Sequence, residues 1–326
     1  MRASTVESTN GAIILVFGLL LFSFQDVIIK HLSDHSSVLQ LVFYRGLIAM
    51  VLFLLLFLVM RQHIPLLSRR PALMLARGLL GFCSYTCYYL AVAAMPLAEV
   101  VAITFTMPLF VTAMSALVLR EKVGWHRWGA VVTGFIGVMI ILSPEGEFNT
   151  LAVVFAFCAA ITYASQTILT RFLGSHDNPL TIAFNAIAIF TLASGAISLA
   201  MYYGLLSVSS THPSLAFFGR DWVPVQGYEL LLILVIGVIA AVGFFCLSKA
   251  YCTAEASAIA PFEFTYILWA VLFGFVFWDE VPGLTTICGI LVLIGSSLYI
   301  GYRERRVQRR QQASAPVRID KLLPQE

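Results

Sequence analysis

The stretch IAPFEFTYILWAVLFGFVFW, Ile259–Trp278, is twenty residues long and carries one carboxylate, Glu263, among apolar and aromatic side chains. A helix of about twenty residues spans about 30 Å, which is the thickness of the hydrocarbon core of a bilayer. The whole chain has the same character, because 60% of its 326 residues are hydrophobic and 11% are charged. Soluble domains are about 25% charged. The sequence therefore predicts an all-α protein that crosses a membrane many times.

Apolar runs of this length, separated by polar or proline-containing breaks, predict ten transmembrane helices. They lie at 12–32, 38–60, 72–94, 97–119, 127–143, 150–172, 179–204, 228–252, 255–278 and 283–302. Residues 1–11 form a leader and 303–326 a basic tail, which we interpret as a topogenic anchor at the lipid surface and not as a nucleic-acid site. Lysine and arginine concentrate in the termini and in alternate loops, which predicts that both termini are cytoplasmic.

Two stretches of the chain contain the same sequence features in the same order. The first is PLAEVVAITFTMPLFVTAMSALVLREKVGWHRWGAVVTGFIGVMI, from Pro96, and the second is TAEASAIAPFEFTYILWAVLFGFVFWDEVPGLTTICGILVLIGSSLYI, from Thr253. Each runs through an apolar helix to a glutamate, Glu121 or Glu280, and then enters a helix that contains Gly129 or Gly289. We expect these residues to be structural, with each glutamate accepting hydrogen bonds from the start of the next helix.

These features divide the chain into two halves, 12–143 and 150–302, of five predicted spans each. An odd number of crossings makes the second half enter the membrane from the opposite face, so similar halves are inverted copies. Inverted repeats are typical of transporters, in which two halves rock around a site near the middle of the bilayer. The sequence therefore predicts two inverted five-helix repeats.

The motif MPLAEVVAITFTMPLFVTAMSALVLREKVGWHRWGAVVTGFIGV, with APFEFTYILWAVLFGFVFWDEVPGLTTICGILVLIGSSLYI later in the chain, resembles the drug/metabolite transporter (DMT) superfamily. More narrowly, it resembles the ten-helix, two-repeat EamA branch of bacterial inner membranes. The motif resembles most that of S-adenosylmethionine-uptake-like members, although relatives with similar motifs are assigned to riboflavin and to metallophores. The resemblance implies the EamA/DMT fold and transport of a small organic metabolite by alternating access.

Ionisable residues inside a span are costly against lipid and are expected to face the bundle interior. Glu263 lies about 12 Å inside its span. It is close to Pro261, which removes a helix hydrogen bond and so favours a cavity border. Pro108 is at a comparable position in the first half. We predict that Glu263 lines the transport cavity with Tyr266 and Trp269, although a structural carboxylate held by a neighbouring helix stays open.

The end of the first span places Asp26 and Lys30 one turn apart on one helix face. Arg45 lies at a similar depth in the second span and is within reach of the headgroups or of Asp26. Two interpretations stay open. Asp26 forms a structural ion pair with Arg45 or Lys30, or Asp26 and Arg45 contact the substrate directly.

Polar side chains in the third and sixth spans complete the candidate site. Tyr85, Tyr163 and Gln166 are predicted substrate contacts, and each is also interpretable as an interhelical hydrogen-bonding residue. Tyr88 and Tyr89 belong to the same polar group.

The motif inventory argues against an enzyme. The sequence has no H-E-x-x-H, G-x-S-x-G or Walker loop, and its six histidines fall in or beside loops, so we expect no cofactor and no metal site.

The expected partners are a small-molecule substrate, the lipid bilayer and protons as a coupling ion, and a homodimer is left open. The alternative function is a membrane-embedded lipid-handling protein, a flippase or transferase.

Overall fold

A computed structural model of the chain describes residues 2–60, 68–107, 109–110, 114, 125–141, 149–174, 177–208, 210–225, 227–253 and 265–314. Within these ranges it forms eleven helices and no β-strand. They are α1 (Arg2–Leu32), α2 (Val38–Met60), α3 (Pro71–Val92), α4 (Leu97–Thr104), α5 (Trp125–Ile141), α6 (Thr150–Gly174), α7 (Pro179–Tyr202), α8 (Pro213–Gly219), α9 (Tyr228–Thr253), α10 (Thr265–Trp278) and α11 (Leu284–Ser314). Glu263, Pro261, Pro108 and Glu121 lie outside the described residues.

Five described helices are long and apolar enough to cross a membrane. They contain Ile13–Leu32, Val38–Val59, Thr150–Thr170, Leu180–Tyr202 and Tyr228–Cys246, and shorter apolar helices cover Val132–Ile141, Thr265–Trp278 and Leu284–Ser296. Half of the predicted spans are thus found as complete apolar helices. The count of ten stays a prediction, because the described α4 and α10 cover only parts of the spans at 97–119 and 255–278.

Helix ends follow local sequence signals, with two differences from the predicted limits. Proline occupies the first turn of α3, α7 and α8, where its missing N–H costs nothing, and Asn178 caps α7 by accepting from the Leu180 amide at 2.9 Å. At the chain ends, α1 begins at Arg2, within the predicted leader, and α11 continues through the predicted tail limit to Ser314. Residues 303–314 contain neither glycine nor proline, so nothing in their sequence stops the helix.

Helix packing relates the two halves of the chain. When α1–α5 are matched in order with α6, α7, α9, α10 and α11, the nine most extensive packing pairs all find a counterpart. The pair α1–α9 corresponds to α6–α3, α2–α9 to α7–α3, and α1–α10 to α6–α4. The pairs α2–α7, α4–α10 and α5–α11 each correspond to themselves. The two halves therefore interlock through equivalent contacts.

Polarity runs from an apolar exterior to a partly polar interior. Leu58, Val59 and Leu192 expose 74%, 80% and 71% of their surface, whereas Gln40 and Ser194 are fully buried. A helix bundle in lipid needs this distribution, because hydrocarbon cannot satisfy polar groups.

Loops gather at two opposite ends of the bundle. At the end where α1 finishes, called here the Lys30 end, Arg220 Nη1 donates to the Ser33 carbonyl at 2.6 Å, and His212 contacts Asn149 at 2.7 Å. At the other end Asp177, between α6 and α7, accepts from the Arg69 amide at 3.0 Å. Each end therefore joins connections from both halves of the chain.

Candidate functional site

A buried carboxylate links three helices near the middle of the bundle. Asp26 of α1 is 2% exposed. Its Oδ2 accepts hydrogen bonds from the hydroxyl of Tyr88 on α3, at 2.6 Å, and from the hydroxyl of Tyr266 on α10. The second carboxylate oxygen, Oδ1, takes part in neither bond. Because α10 belongs to the second half of the chain, both halves contribute to this site.

A buried guanidinium lies beside the carboxylate on a different set of partners. Arg45 of α2 is 5% exposed and donates from Nη1 to the hydroxyl of Tyr89. Its guanidinium carbon lies 5.0 Å from the centre of the Tyr85 ring and 5.8 Å from that of Tyr89, within cation–π range. Gln25 Nε2 also donates to the Tyr89 hydroxyl, at 3.0 Å.

The two predicted ion pairs of Asp26 do not form. Among the described residues, no ion pair joins Asp26 to Arg45 or to Lys30, and Lys30 pairs instead with Glu280. Tyrosines on neighbouring helices bond the Asp26 carboxylate, while Lys30, one turn farther along α1, reaches the end of α10. The two charged residues and the polar residues bonded around them are called the central cluster: Gln25, Asp26, Arg45, Tyr88, Tyr89 and Tyr266.

Aromatic rings border the central cluster. The ring of Tyr266 stacks on Phe105, which follows α4, with centroids 6.1 Å apart and planes inclined by 28°. Trp269, one turn beyond Tyr266, stacks on Phe273 at 6.3 Å and 27°. On the other side, Tyr85 contacts Phe190 of α7 at 5.5 Å.

Two buried polar atoms beside these rings lack a bonding partner in the described part of the chain. They are the indole Nε1 of Trp269 and the side-chain oxygen Oε1 of Gln25. Unpartnered polar atoms in a water-free interior cost free energy, so they are uncommon in a packed core and are expected where a ligand completes the bonding. Arg45 additionally lines a narrow cavity with Gly46, Ala49 and Ala240.

The candidates on α6 lie apart from the central cluster. Gln166 is 7% exposed, and its Oε1 lies over Gly81 of α3, where an added Cβ would meet it at 2.5 Å. The Phe190 ring covers the same glycine and contacts Tyr85, whose ring lies against Arg45, so two aromatic rings separate Gln166 from the cluster. Tyr163 is half-buried on the same helix.

A second polar group closes the Lys30 end of the bundle. The Lys30 ammonium pairs with Glu280, donates to the Met95 carbonyl at 3.1 Å and lies 5.0 Å from the Trp278 ring centre. Glu280 also accepts from the Leu97 amide at 3.0 Å, at the first residue of α4. Glu280 was expected to bind the start of the following helix, α11, but it caps α4 of the other half. These five residues are called the Lys30 cluster.

The glycines of the repeat differ in their surroundings. Gly289 of α11 faces Gly137 of α5, and a Cβ added to Gly289 would lie 2.5 Å from the Gly137 carbonyl oxygen. Gly129 has open space around it. The glycine that gives α5 its close approach to α11 is therefore Gly137.

Sequence reasoning missed one member of the central cluster, Gln25. The signal was available, because an amide in the middle of an apolar span needs hydrogen-bonding partners as much as the adjacent Asp26 does. Tyr88 and Tyr89 had been recognised only as hydrogen-bonding residues between helices. Phe105, in the apolar stretch at the end of α4, offered no such signal.

Comparison with protein families gives a match over most of the chain. The family model described as "EamA-like transporter family" matches residues 9–143 and again 150–302. The chain belongs to the EamA-like transporter family. The two matched segments agree with the predicted repeat halves, and membership makes the protein a multi-pass membrane protein.

Named relatives of this transporter family member handle different solutes. It is 25% identical over 297 residues to an S-adenosylmethionine uptake transporter of Rickettsia prowazekii, covering 91% of this chain and 94% of the relative. It is 33% identical over 217 residues to a riboflavin transporter of Vibrio cholerae, covering 66% of each chain. It is 27% identical over 288 residues to a pseudopaline exporter of Pseudomonas aeruginosa, covering 87% of this chain and 93% of the relative.

A solved crystal structure has the same fold. It superposes on 94% of this chain and 99% of its own with a TM-score of 0.60, at 14% sequence identity.

Proposed function

We propose that this protein is a secondary transporter that moves a small polar or amphipathic organic metabolite across the bacterial inner membrane by alternating access. The observation that carries the proposal is the central cluster. Asp26 and Arg45 are opposite charges, both buried, in the interior of a bundle whose exterior is apolar. Buried charges inside a membrane are expensive and typically mark a substrate or ion pathway.

Alternating access needs two halves that can move relative to each other around a shared site. The equivalent packing pairs of the two halves support an inverted repeat, in which the second half crosses the membrane in the opposite sense. The central cluster lies where α1 and α3 of the first half meet α10 of the second. Rocking of one half against the other would therefore change access to Asp26.

The Lys30 cluster is the contact that closes one face in this mechanism. Lys30 is four residues beyond Asp26, about 6 Å along α1. Its partner Glu280 connects the end of α10 with the start of α4. Separation of Lys30 from Glu280 would open a route to Asp26 from this face, which the distribution of basic residues predicts to be periplasmic, with both termini cytoplasmic.

Glu263 remains a proposed member of the site on sequence grounds. It precedes Tyr266 by three residues, a spacing that predicts the same helix face, and Tyr266 bonds Asp26. We propose that Glu263 lines the cavity with Tyr266 and Trp269, and that protons are the coupling ion. Pro108, Pro261 and Glu121 keep their proposed structural roles in the repeat.

The solutes named for the relatives define the substrates to test first. We propose a metabolite similar to S-adenosylmethionine or to an amino acid, because the family resemblance and the Rickettsia prowazekii relative point in that direction. Riboflavin is the most useful contrast, since it is a neutral solute and is named for another relative.

The test is uptake into proteoliposomes that contain the purified protein, with and without an imposed proton gradient. The solutes are S-adenosylmethionine, a set of amino acids and riboflavin. We expect saturable uptake of at least one solute and its loss in Asp26→Asn, with Asp34→Asn, which changes an exposed carboxylate, as the matched control. No saturable uptake of any organic solute by folded protein, in either direction, would contradict the proposal.

A further inference from the structure

We infer that the central cluster binds the head group of a zwitterionic substrate, with Asp26 receiving an ammonium group and Arg45 receiving a carboxylate. This inference rests on the proposed transport function and specifies its substrate class. It begins from the separation of the two charges. Asp26 is bonded by two tyrosine hydroxyls and Arg45 by a third, so in the described residues each charge has neutral hydrogen-bonding partners in place of an ion pair.

Such an arrangement is incomplete as a purely structural one. A charge in a low-dielectric interior is stable when an opposite charge compensates it, and otherwise costs several kcal/mol. Asp26 and Arg45 are neighbours that would compensate each other in a direct ion pair, yet tyrosines of α3 and α10 keep the partners of each distinct. A ligand that carries both signs would compensate both residues at once.

The hydrogen-bonding atoms around the charges have the polarity that this ligand needs. Gln25, whose Nε2 bonds the same Tyr89 hydroxyl as Arg45, presents an unpartnered acceptor Oε1 within the central cluster, which suits an ammonium donor. Arg45 has further N–H donors besides the Nη1 that bonds Tyr89, and a planar guanidinium matches a carboxylate in a bidentate geometry. The central cluster therefore supplies an acceptor for a cation as well as donors for an anion.

The rest of the substrate would lie against the aromatic border. Trp269, one turn beyond Tyr266 on α10, presents an unpartnered N–H donor, and Tyr266 itself stacks on Phe105. A substrate with an α-amino acid head and a ring or chain that contains acceptor atoms would use these groups. A solute that lacks either the ammonium or the carboxylate would leave at least one of the buried charges uncompensated.

The test compares ligands that differ only in the head group. Two series are used: S-adenosylhomocysteine with its analogues lacking the carboxylate, the amino group or both, and L-tryptophan with tryptamine and indole-3-propionate. Binding to purified full-length protein is measured by titration calorimetry. We expect at least one complete zwitterion to bind, and removal of either charged group to weaken its binding by about tenfold or more, the loss expected when a buried charge loses its partner.

The variants assign each half of the head group. In Arg45→Gln, the complete ligand and its analogue without the carboxylate should bind with affinities within about threefold of each other. In Asp26→Asn, the complete ligand and its analogue without the amino group should likewise bind with affinities within about threefold of each other. This pattern is expected because, once the charged side chain is removed, also removing the ligand group that it binds takes away no further interaction. Arg69→Gln and Asp34→Asn, which change exposed side chains, should preserve the discrimination seen with the unmodified protein.

The outcomes separate this inference from the proposed function. Equal binding of zwitterions and singly charged analogues, or no binding of any zwitterion in the two series, would overturn it, and the ligand series decides this on the unmodified protein even if a variant does not fold. Saturable transport of riboflavin without zwitterion binding would overturn the inference and leave the transport function standing. If the folded, unmodified protein transports no organic solute, both the inference and the proposed function are overturned.

Discussion

The Glu280→Gln substitution tests whether the Lys30 cluster closes one face of the bundle. Glutamine keeps an oxygen that can accept from the Leu97 amide, but it removes the charge that pairs with Lys30. The two side chains are 12% and 20% exposed, so the pair is intermediate between exposed and buried pairs. Exposed pairs contribute up to about 1 kcal/mol, and breaking a buried pair costs about 3–5 kcal/mol.

A loss of about 2 kcal/mol from the closed form follows from this comparison. It would raise the population open at the Lys30 end about 30-fold, since each 1.36 kcal/mol corresponds to about a factor of ten. The assay uses a Val92→Cys background, because Val92 at the end of α3 is 0% exposed. We expect a membrane-impermeant maleimide to label this cysteine about 30-fold faster in Glu280→Gln, as followed by peptide mass spectrometry.

The matched control is Asp279→Asn, which neutralises the adjacent carboxylate. Asp279 is exposed and has a positive φ of 54°, which asparagine also adopts readily. Labelling of Val92→Cys should be unchanged by this substitution. Equal labelling in Glu280→Gln and Asp279→Asn, in protein that remains folded, would refute the closing role and return Glu280 to a purely structural one.

Three further predictions concern topology, packing and the proposed cavity. A reporter fused after Arg306 should be cytoplasmic and one inserted near Ser210 periplasmic, and finding both on one side would contradict the ten-span count. Gly289→Ala should lower stability in detergent by about 1–3 kcal/mol through overpacking against α5, as measured by thermal unfolding, while Gly129→Ala should not, because its Cβ would meet open space. Glu263→Gln should reach the membrane at normal levels but lose substrate binding or proton-driven accumulation across about pH 5–8, a range above the ordinary transition of a carboxyl group. Uptake and a pH profile equal to those of the parent protein would leave Glu263 as a packing residue.

The architecture was largely accessible from sequence because bilayer thickness imposes a length on each apolar run. The helices α2 and α7 begin at the predicted residue or close to it, and the two family-matched segments reproduce the predicted halves. The short helix α8 was not anticipated. It has seven residues and begins at a proline after a capping histidine, too short a pattern to register as a span.

The candidate site was only partly accessible, because depth in a helix does not determine which neighbour a side chain meets. The cost of burying a charge predicted that Asp26 faces the interior, whereas Arg45 was left open between the headgroups and Asp26, and the structure buries both. Their partners depend on the packing of α1 against α3 and α10, which sequence spacing within one helix does not encode. The same reason explains why Glu280 caps α4 when spacing alone suggested α11.

The segment between α7 and α9 makes the connections at the two faces of the bundle differ in length. It runs from residue 203 to 227, whereas the corresponding connection between α2 and α3 runs only from 61 to 70. It carries α8 across the Lys30 end, where Arg220 donates to the Ser33 carbonyl and Gln40 donates to the Val223 carbonyl at 2.6 Å. Under the proposed mechanism, opening this face must displace the bonds of Arg220 and Gln40, whereas the described residues of the shorter connection, 68–70, bond Asp177. The kinetic barrier to opening would then differ between the two faces, so a transporter built from two similar halves can still spend unequal times facing the two compartments.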